Sequence, residues 1–147
     1  SVKRSRKVAE KFGVPLAIID KRRPRPNVAE VMGIIGNVEG KNCIMIDDMI
    51  DTGGTIVAGA NVLKEKGAKD VYIACTHPVF SGPAVERLEA SCAKEIVVTD
   101  TIYLPEEKRF EKLHIASVSE LLAHTIKNIE ETKPVSEVFE IYGEGFM

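Results

Sequence analysis

Two adjacent carboxylates at the end of an apolar run stand out in this 147-residue chain. The run from Cys43 to Ile46 leads into Asp47 and Asp48, and the stretch Asp51-Thr52-Gly53-Gly54-Thr55 follows after two more residues. Glycines let a backbone approach a ligand closely, and the first N–H groups of a helix attract anions. The pattern therefore predicts a strand, a loop that holds a phosphate group, and the N-terminus of a helix.

The acidic pair itself suggests what accompanies the phosphate. Asp47 and Asp48 repel each other unless a cation or a set of hydroxyl groups lies between them, and both solutions suit a ribose diol with Mg²⁺, which prefers oxygen ligands. In strand geometry the two side chains point to opposite faces, so their cooperation is expected to require a turn at the end of the strand. Asp51 suits either a helix cap or a hydrogen bond from the sugar. The plain alternative is a tight turn with an aspartate cap, for which two upstream carboxylates would be an odd choice.

A cluster of positive charge follows the first apolar run of the chain. Lys21-Arg22-Arg23-Pro24-Arg25 holds four cations in five residues. Residues 21–40 as a whole are polar and interrupted by proline and glycine, which predicts a long flexible loop. The cations suit a solvated surface, a nucleic-acid patch or a clamp on a polyphosphate, where Lys and Arg stabilise charge during transfer. An aromatic content of 5% and a net charge of -2 disfavour nucleic acid.

Apolar runs alternate with helical patterns along the chain, and this alternation predicts an α/β fold. The mainly parallel sheet of such a fold has helices on both faces, and ligands bind outside the carboxyl ends of its strands, where the acidic pair falls. Residues 1–147 are expected to form one domain. Ile56, Ala60 and Leu63 share one face of a predicted helix, and Ser81 is the predicted N-cap of the next. The predicted strands are 15–20, 41–47, 71–76 and 95–99, and the predicted helices are 4–12, 52–66, 81–91 and 118–131.

The cysteines and the hydropathy indicate the expected cellular location of the protein. Cys43, Cys75 and Cys92 are odd in number and widely spaced, and two of them lie in apolar runs. This usage is typical of reduced thiols in a cytoplasmic protein. No apolar run approaches ~18 residues, so no membrane span is expected. Neither a membrane nor nucleic acid is therefore an expected partner.

The acidic strand followed by Thr-Gly-Gly-Thr resembles the ribose-phosphate-binding signature of the type I phosphoribosyltransferase superfamily. It is not a Walker A loop, since no Gly-Lys-Ser/Thr follows. The stretch 17–36 resembles the flexible catalytic loop of bacterial ribose-phosphate pyrophosphokinases, and Thr76-His77-Pro78, residues 80–87 and residues 96–99 are also similar to that family. The resemblance extends over about residues 6–139 and so covers nearly the whole chain.

The resemblance implies a reaction in which the C1 hydroxyl of ribose 5-phosphate attacks the β-phosphorus of Mg-ATP, giving phosphoribosyl pyrophosphate and AMP. It implies that Lys21 and Arg23 are catalytic, that Arg23 also binds ribose 5-phosphate, and that Arg25 is a weaker candidate. Asp47 and Asp48 would hold the ribose hydroxyls and, through them, Mg²⁺. The residues implied for the 5-phosphate are Asp51, Thr52, Gly53, Gly54 and Thr55.

The resemblance covers only the C-terminal half of the family's two-domain chain. The N-terminal half carries most of the ATP-binding groups and a metal-binding histidine, and the present sequence opens at Ser1 without an initiator Met. The resemblance therefore implies a chain that binds sugar phosphate weakly and turns over little by itself. Its implied partners are the missing N-terminal domain and further copies of the chain, because the family forms hexamers.

Two other hypotheses remain open. A base phosphoribosyltransferase would use the same loop, although it needs a hood over its base and no aromatic, base-stacking insertion is evident in the sequence. A non-catalytic regulatory homologue would assemble with active subunits, and the intact Lys21, Arg23 and Asp51–Thr55 stretch argues against it.

Overall fold

The computed structural model of the protein describes residues 2–22 and 31–144. The helices are α1 (Val2–Phe12), α2 (Gly54–Glu65), α3 (Ala84–Glu89), α4 (Ser119–Glu130) and α5 (Ser136–Glu144), with a 3-10 turn at Glu106–Lys108. The strands are β1 (Ile18–Arg22), β2 (Val31–Ile35), β3 (Cys43–Ile50), β4 (Val71–Pro78), β5 (Glu95–Thr99) and β6 (Leu113–Ala116).

Four parallel strands form the main sheet, in the order β3-β4-β5-β6. Their register aligns Met45 with Ile73, Ile73 with Ile96, and Ile96 with Leu113. Parallel neighbours need a crossover between them, and α2 and α3 supply the first two. The predicted α/β fold with a mainly parallel sheet is therefore confirmed.

The core lies between this sheet and α2. Ile56, Ala60 and Leu63 are all buried, as their spacing predicts, and they belong to one cluster with Val71 and Ile73. Gly59 lets the helix approach the sheet closely, because any side chain there would require Met45 and Ile19 to shift. A Cβ atom there would lie 2.7 Å from Cε of Met45 and 3.1 Å from Cδ1 of Ile19.

The helix α1 lies on the opposite face of the sheet, beside β3. Arg4 on this helix forms an ion pair with Asp48 in β3, and Val8 lines a cavity together with Ile44 and Tyr72 from the sheet. Helices thus lie on both faces. Among the described residues, no helix is both long enough and apolar enough to cross a membrane.

The stretch 15–40 differs from its prediction. The first strand starts at Ile18 and pairs antiparallel with β2 in a separate two-stranded sheet, so it is not a strand of the main sheet. The predicted loop 21–40 is too long, because residues 21 and 22 continue β1 and residues 31–35 form β2. The apolar residues of β2 pair with the apolar start of β1, and Ile34 packs on the core. Residues 23–30 of the predicted loop lie outside the described residues.

Smaller differences concern caps and short elements. The predicted Ser81 cap is wrong, because α3 begins at Ala84 with Pro83 at the capping position, and Ser81 contributes only its carbonyl to the Ala84 N–H. The strand β5 has the predicted bounds. Neither β6 nor α5 was predicted, since a four-residue strand and a mixed polar tail give weak periodic signals.

The burial of the α2 stripe leads to a stability prediction. Leu63 is 4% exposed and Leu122 on α4 is 55% exposed. We expect Leu63→Ala to lower the free energy of unfolding by about 2–5 kcal/mol, whereas Leu122→Ala, the same substitution on the surface, changes it by about 0.5 kcal/mol or less. Urea unfolding followed by circular dichroism measures both. Equal losses in the two variants would contradict the core assignment.

Candidate functional site

The loop after β3 is shaped by one glycine in a left-handed conformation. Gly53 has a φ of 74° and precedes the first residue of α2, and a Cβ atom there would lie 3.5 Å from the carbonyl oxygen of Ala84. The N–H of Val57 donates to the carbonyl of Gly53 at 3.1 Å, which is the first bond of the helix. The preceding N–H groups, at residues 54–56, therefore have no partner within the helix and are available, at its positive end, as donors to an anion.

Contacts from the segment after β4 hold this loop in place. The N–H of Phe80 donates to the carbonyl of Ile50 at 3.1 Å, and the N–H of Ser81 donates to the carbonyl of Asp51 at 3.0 Å. These two bonds fix the point at which the chain leaves β3. The base of the loop is consequently tied to the sheet. Thr55, in the first turn of α2, remains exposed.

Arg87 is a functional candidate that sequence reasoning missed. Its Nη1 donates to the carbonyl of Thr52 at 3.0 Å, and a Cβ atom on Gly54 would lie 3.4 Å from the same nitrogen. The guanidinium therefore adds a positive charge beside the predicted phosphate loop while it holds the loop backbone. The only sequence signal was its place within residues 80–87, which resemble the pyrophosphokinases.

Both carboxylates of the acidic pair lie inside β3, so the expected turn between them does not form. They are nevertheless linked through the backbone, because Oδ1 of Asp47 accepts the N–H of Asp48 at 3.0 Å. Asp48 also pairs with Nη1 of Arg4 at 2.9 Å. The hydrogen bond from Arg4, followed by that with Asp47, holds the pKa of the Asp48 carboxyl below its usual range. Asp48 is thus held in its charged form beside the loop and is already paired with α1.

The predicted site residues fall into two groups. The acidic pair and the loop lie together at the carboxyl end of β3, where Asp51, Thr52 and Thr55 are exposed, Gly53 is buried and Gly54 is half-buried. The structure places the backbone of Lys21 in β1. The side chain of Lys21 and all of Arg23 and Arg25 lie outside the described residues. Their approach to the loop therefore stays a prediction.

The described residues hold no ready-made metal cage. No group of three or more His, Cys, Asp or Glu side chains is arranged among them to bind a metal ion. Asp47 and Asp48 supply two carboxylates, and Mg²⁺ is commonly held by one or two carboxylates together with oxygens of the substrate. The donor set therefore fits an ion that arrives with its substrate.

The thiol of Cys75, next to the acidic pair, is not expected to carry a charge at neutral pH. Cys75 is the register partner of Asp47 on β4. Burial raises the pKa of the Cys75 thiol to about 11, and the nearby Asp47 and Asp48 add to the shift. Because the thiolate is the nucleophilic form, Cys75 is expected to be inert at neutral pH.

The chain is similar to known proteins over nearly its whole length. The model of the phosphoribosyl synthetase-associated domain matches residues 1–140. The chain belongs to this family. It is 60% identical over 139 residues to ribose-phosphate pyrophosphokinase 2 of Enterococcus faecalis, covering 95% of the chain and 43% of that relative. It is 59% identical over 138 residues to the ribose-phosphate pyrophosphokinase of Bacillus subtilis, covering 94% and 44%.

A solved structure shares the fold of this family member. The phosphoribosylpyrophosphate synthetase of Mycobacterium smegmatis superposes with a TM-score of 0.83 and 47% identity, over 89% of this chain and 42% of that one. The present chain therefore spans less than half of the length of these relatives.

The ion pair between α1 and the acidic pair can be tested by titration. Asp48 has a lowered pKa, so its pairing stabilises the fold above the usual Asp value of about 3.9 and is lost as the pH falls through the lower folded value. We expect Arg4→Gln to raise the pKa of Asp48, measured by ¹³C NMR of the carboxyl carbon. Arg6→Gln on the same helix is the matched control. An unchanged Asp48 titration in Arg4→Gln would show that another group causes the shift.

The contact from Arg87 predicts a local effect on the loop. We expect Arg87→Ala to speed amide hydrogen exchange at residues 52–55 and to weaken binding of inorganic phosphate by about tenfold, since a hydrogen bond from a charged group contributes about 1.5 kcal/mol or more. Arg109→Ala removes an arginine that pairs with Glu106 instead. If Arg87→Ala exchanged its loop amides and bound phosphate as the parent does, Arg87 would have no role in the loop.

Proposed function

We propose that this chain is the ribose 5-phosphate-binding part of a ribose-phosphate pyrophosphokinase with a type I phosphoribosyltransferase-like domain. The full enzyme would transfer the pyrophosphoryl group of ATP to the C1 hydroxyl of ribose 5-phosphate, giving phosphoribosyl pyrophosphate and AMP. One observation carries the proposal. Two carboxylates at the end of β3 lie next to a loop in which Gly53 has a left-handed conformation and leads into the N-terminus of α2. The names of the similar proteins from Enterococcus faecalis and Bacillus subtilis support it.

The loop is proposed to bind the 5-phosphate. The free N–H groups at the start of α2 and the hydroxyls of Thr52 and Thr55 supply donors, and Gly53 and Gly54 allow the close approach. Asp51 lies at the mouth of the loop, where its carbonyl is anchored and its carboxylate is exposed. Asp51 is therefore proposed to order the loop or accept a sugar hydroxyl.

Asp47 and Asp48 are proposed to bind the ribose hydroxyls. Hydroxyl groups that donate to both carboxylates would relieve the repulsion that Arg4 now relieves at Asp48. The sugar must therefore share Asp48 with Arg4 or displace it. Mg²⁺, when bound with the substrates, would supply charge neutralisation at the transferring phosphates, and its ligands here would come through the ribose hydroxyls.

Lys21 and Arg23 are proposed as the catalytic cations. They would stabilise the charge that develops on the transferring group, and Arg23 would also contact the sugar phosphate. Because Lys21 continues β1, the basic segment starts from an ordered strand. Loss of such a preorganised contact typically costs about 3 kcal/mol of transition-state stabilisation, which is about a hundredfold in kcat.

The remaining parts of the enzyme are proposed to come from outside this chain. It spans 43% of the Enterococcus faecalis relative, so the groups that bind ATP are assigned to the unmatched, N-terminal part. We infer that the chain alone binds ribose 5-phosphate but turns over little, and that the full enzyme assembles as a homo-oligomer, with a hexamer as the expected form. Its three free cysteines and its proposed use of ATP support a cytoplasmic location.

Ligand binding tests the loop assignment. We expect ribose 5-phosphate to shift the amide resonances of residues 51–56 of this chain. Thr55→Val should weaken the binding about tenfold, because the lost hydroxyl donates to a charged phosphate. Thr125→Val, whose hydroxyl donates to the carbonyl of Leu121 on α4, should leave the binding unchanged. If Thr55→Val bound ribose 5-phosphate as the parent does, the Thr55 hydroxyl would have no role in the site.

Turnover tests the reaction. A chimera that joins this chain to the unmatched part of the Enterococcus faecalis relative should release AMP from ATP and ribose 5-phosphate. Lys21→Ala in the chimera should lower kcat about a hundredfold. An unchanged rate would remove Lys21 from the catalytic groups, a chimera that released no AMP would favour a regulatory homologue, and pyrophosphate release from phosphoribosyl pyrophosphate with a nucleobase would favour a base phosphoribosyltransferase. Substantial turnover by the 147 residues alone would overturn the need for a second part.

A further inference from the structure

The segment between β4 and α3 contains a buried aromatic residue in a left-handed conformation. Phe80 has a φ of 47° and is 1% exposed. A positive φ is costly for a bulky residue and persists only where the surrounding structure over-determines it. Glycine would adopt this conformation without strain, but the phenyl ring would then be lost from the main core cluster, to which it belongs. Contacts around Phe80 must therefore hold the strained conformation in place.

The left-handed conformation turns two successive N–H groups toward the end of β3. The N–H of Phe80 donates to the carbonyl of Ile50 at 3.1 Å, and the N–H of Ser81 donates to the carbonyl of Asp51 at 3.0 Å. Successive N–H groups of an extended chain point to opposite sides, whereas a left-handed residue brings its own N–H and the next one to the same side. The strain at Phe80 is therefore what allows both bonds to form.

A lysine from a distant turn binds the carbonyl of the same residue. Nζ of Lys108 donates to the carbonyl of Phe80 at 3.0 Å. Lys108 is half-buried and ends the 3-10 turn, which follows the buried Leu104. The carbonyl of Phe80 and the N–H of Ser81 belong to one planar peptide, in which they point in opposite directions. A charged donor on the carbonyl therefore orients the N–H toward Asp51, and bonds at both ends of a peptide strengthen each other.

The residues held in this way set the spacing of the candidate site. Residues 49–51 join the acidic pair to the Thr52–Thr55 stretch. A sugar phosphate that places its hydroxyls at Asp47 and Asp48 and its phosphate in the loop must match that spacing. Inorganic phosphate occupies the loop alone and has no such requirement. A misplacement of about 1 Å can cost up to about a hundredfold for a ligand that two groups must hold at once.

We propose that Lys108 is a positioning residue for the sugar-phosphate site. It acts through the peptide between Phe80 and Ser81, which fixes the distance between the acidic pair and the phosphate loop. This inference rests on the proposed function, because the distance matters only for a ligand that spans both parts. Arg87 differs from Lys108 in its role, since it bonds to Thr52 within the loop itself.

Substitutions at two lysines test the proposal in this chain. Lys108→Met keeps the apolar stem and removes the donor, and Lys108→Arg keeps a charged donor. Lys112→Met is the matched control, because Lys112 is also half-buried and its Nζ also donates to backbone carbonyls, those of Ser91 and Ala93. Calorimetry measures the affinity of each variant for ribose 5-phosphate and for inorganic phosphate. Thermal unfolding followed by circular dichroism shows that each variant is folded.

The two ligands should respond differently. We expect Lys108→Met to weaken the binding of ribose 5-phosphate about tenfold and that of inorganic phosphate less than about twofold, because only the sugar phosphate needs the correct spacing. Lys108→Arg should restore most of the lost affinity. Lys112→Met should leave the ratio of the two affinities unchanged. The amide of Ser81 should exchange about tenfold faster in Lys108→Met, since its peptide has lost one of its two bonds.

Turnover in the chimera with the unmatched part of the Enterococcus faecalis relative gives a second measurement. We expect Lys108→Met to raise the KM for ribose 5-phosphate about tenfold, as expected for lost binding of the sugar phosphate. The KM for ATP should stay unchanged, because the groups that bind ATP are assigned to the other part of the enzyme. A general loss of stability would not separate the two substrates in this way.

Several outcomes would overturn the proposal. Equal losses of affinity for both ligands in Lys108→Met would show that Lys108 only stabilises the fold. Unchanged binding of ribose 5-phosphate, or no recovery in Lys108→Arg, would also count against it. If Lys108→Met does not fold, Lys108→Gln, which has a shorter and neutral donor, takes its place with the same expected difference between the ligands. A parent chain that binds ribose 5-phosphate no better than inorganic phosphate would instead overturn the proposed function, and this inference with it.

Discussion

Parallel pairing of β3 with β4 is the constraint on which the rest of the structure depends. It brings the acidic pair to the carboxyl edge of the sheet. It also brings the segment after β4 beside the loop, where Phe80 and Ser81 bond to the backbone of Ile50 and Asp51. The left-handed Gly53 can then direct α2 back across the sheet, with its N-terminus facing outward. The position of the loop is thus a product of sheet register, whereas its candidate donors lie in the loop itself and in the first turn of α2.

Local patterns allowed much of this arrangement to be predicted. The α/β class, the bounds of β5 and the buried face of α2 follow from periodicity, because apolar residues at regular spacing must share one surface. The acidic pair and the glycine loop were also found, since all their parts lie within nine residues of sequence, from Asp47 to Thr55. Each of these features is encoded by neighbours in the chain.

Features that depend on distant residues were missed. Arg87 reaches a carbonyl 35 residues away, and nothing near it in sequence indicates that contact. Arg4 meets Asp48 only because α1 crosses the sheet. The separation of β1 from the main sheet had a different cause: an apolar run predicts a strand, but the run does not specify its neighbour, and the hairpin with β2 is decided by tertiary packing.

The candidate site is framed by elements that lie outside the loop itself. Asp47 and Thr55 line a cavity that residues of α1 and β1 also line, and Arg4 ties α1 to Asp48. The strand β1 leads directly into the basic segment at Lys21. Preorganisation of charge is what makes such groups effective in catalysis. Contacts of α1 and β1 that fix the positions of the acidic pair and of Lys21 would therefore serve the proposed reaction directly.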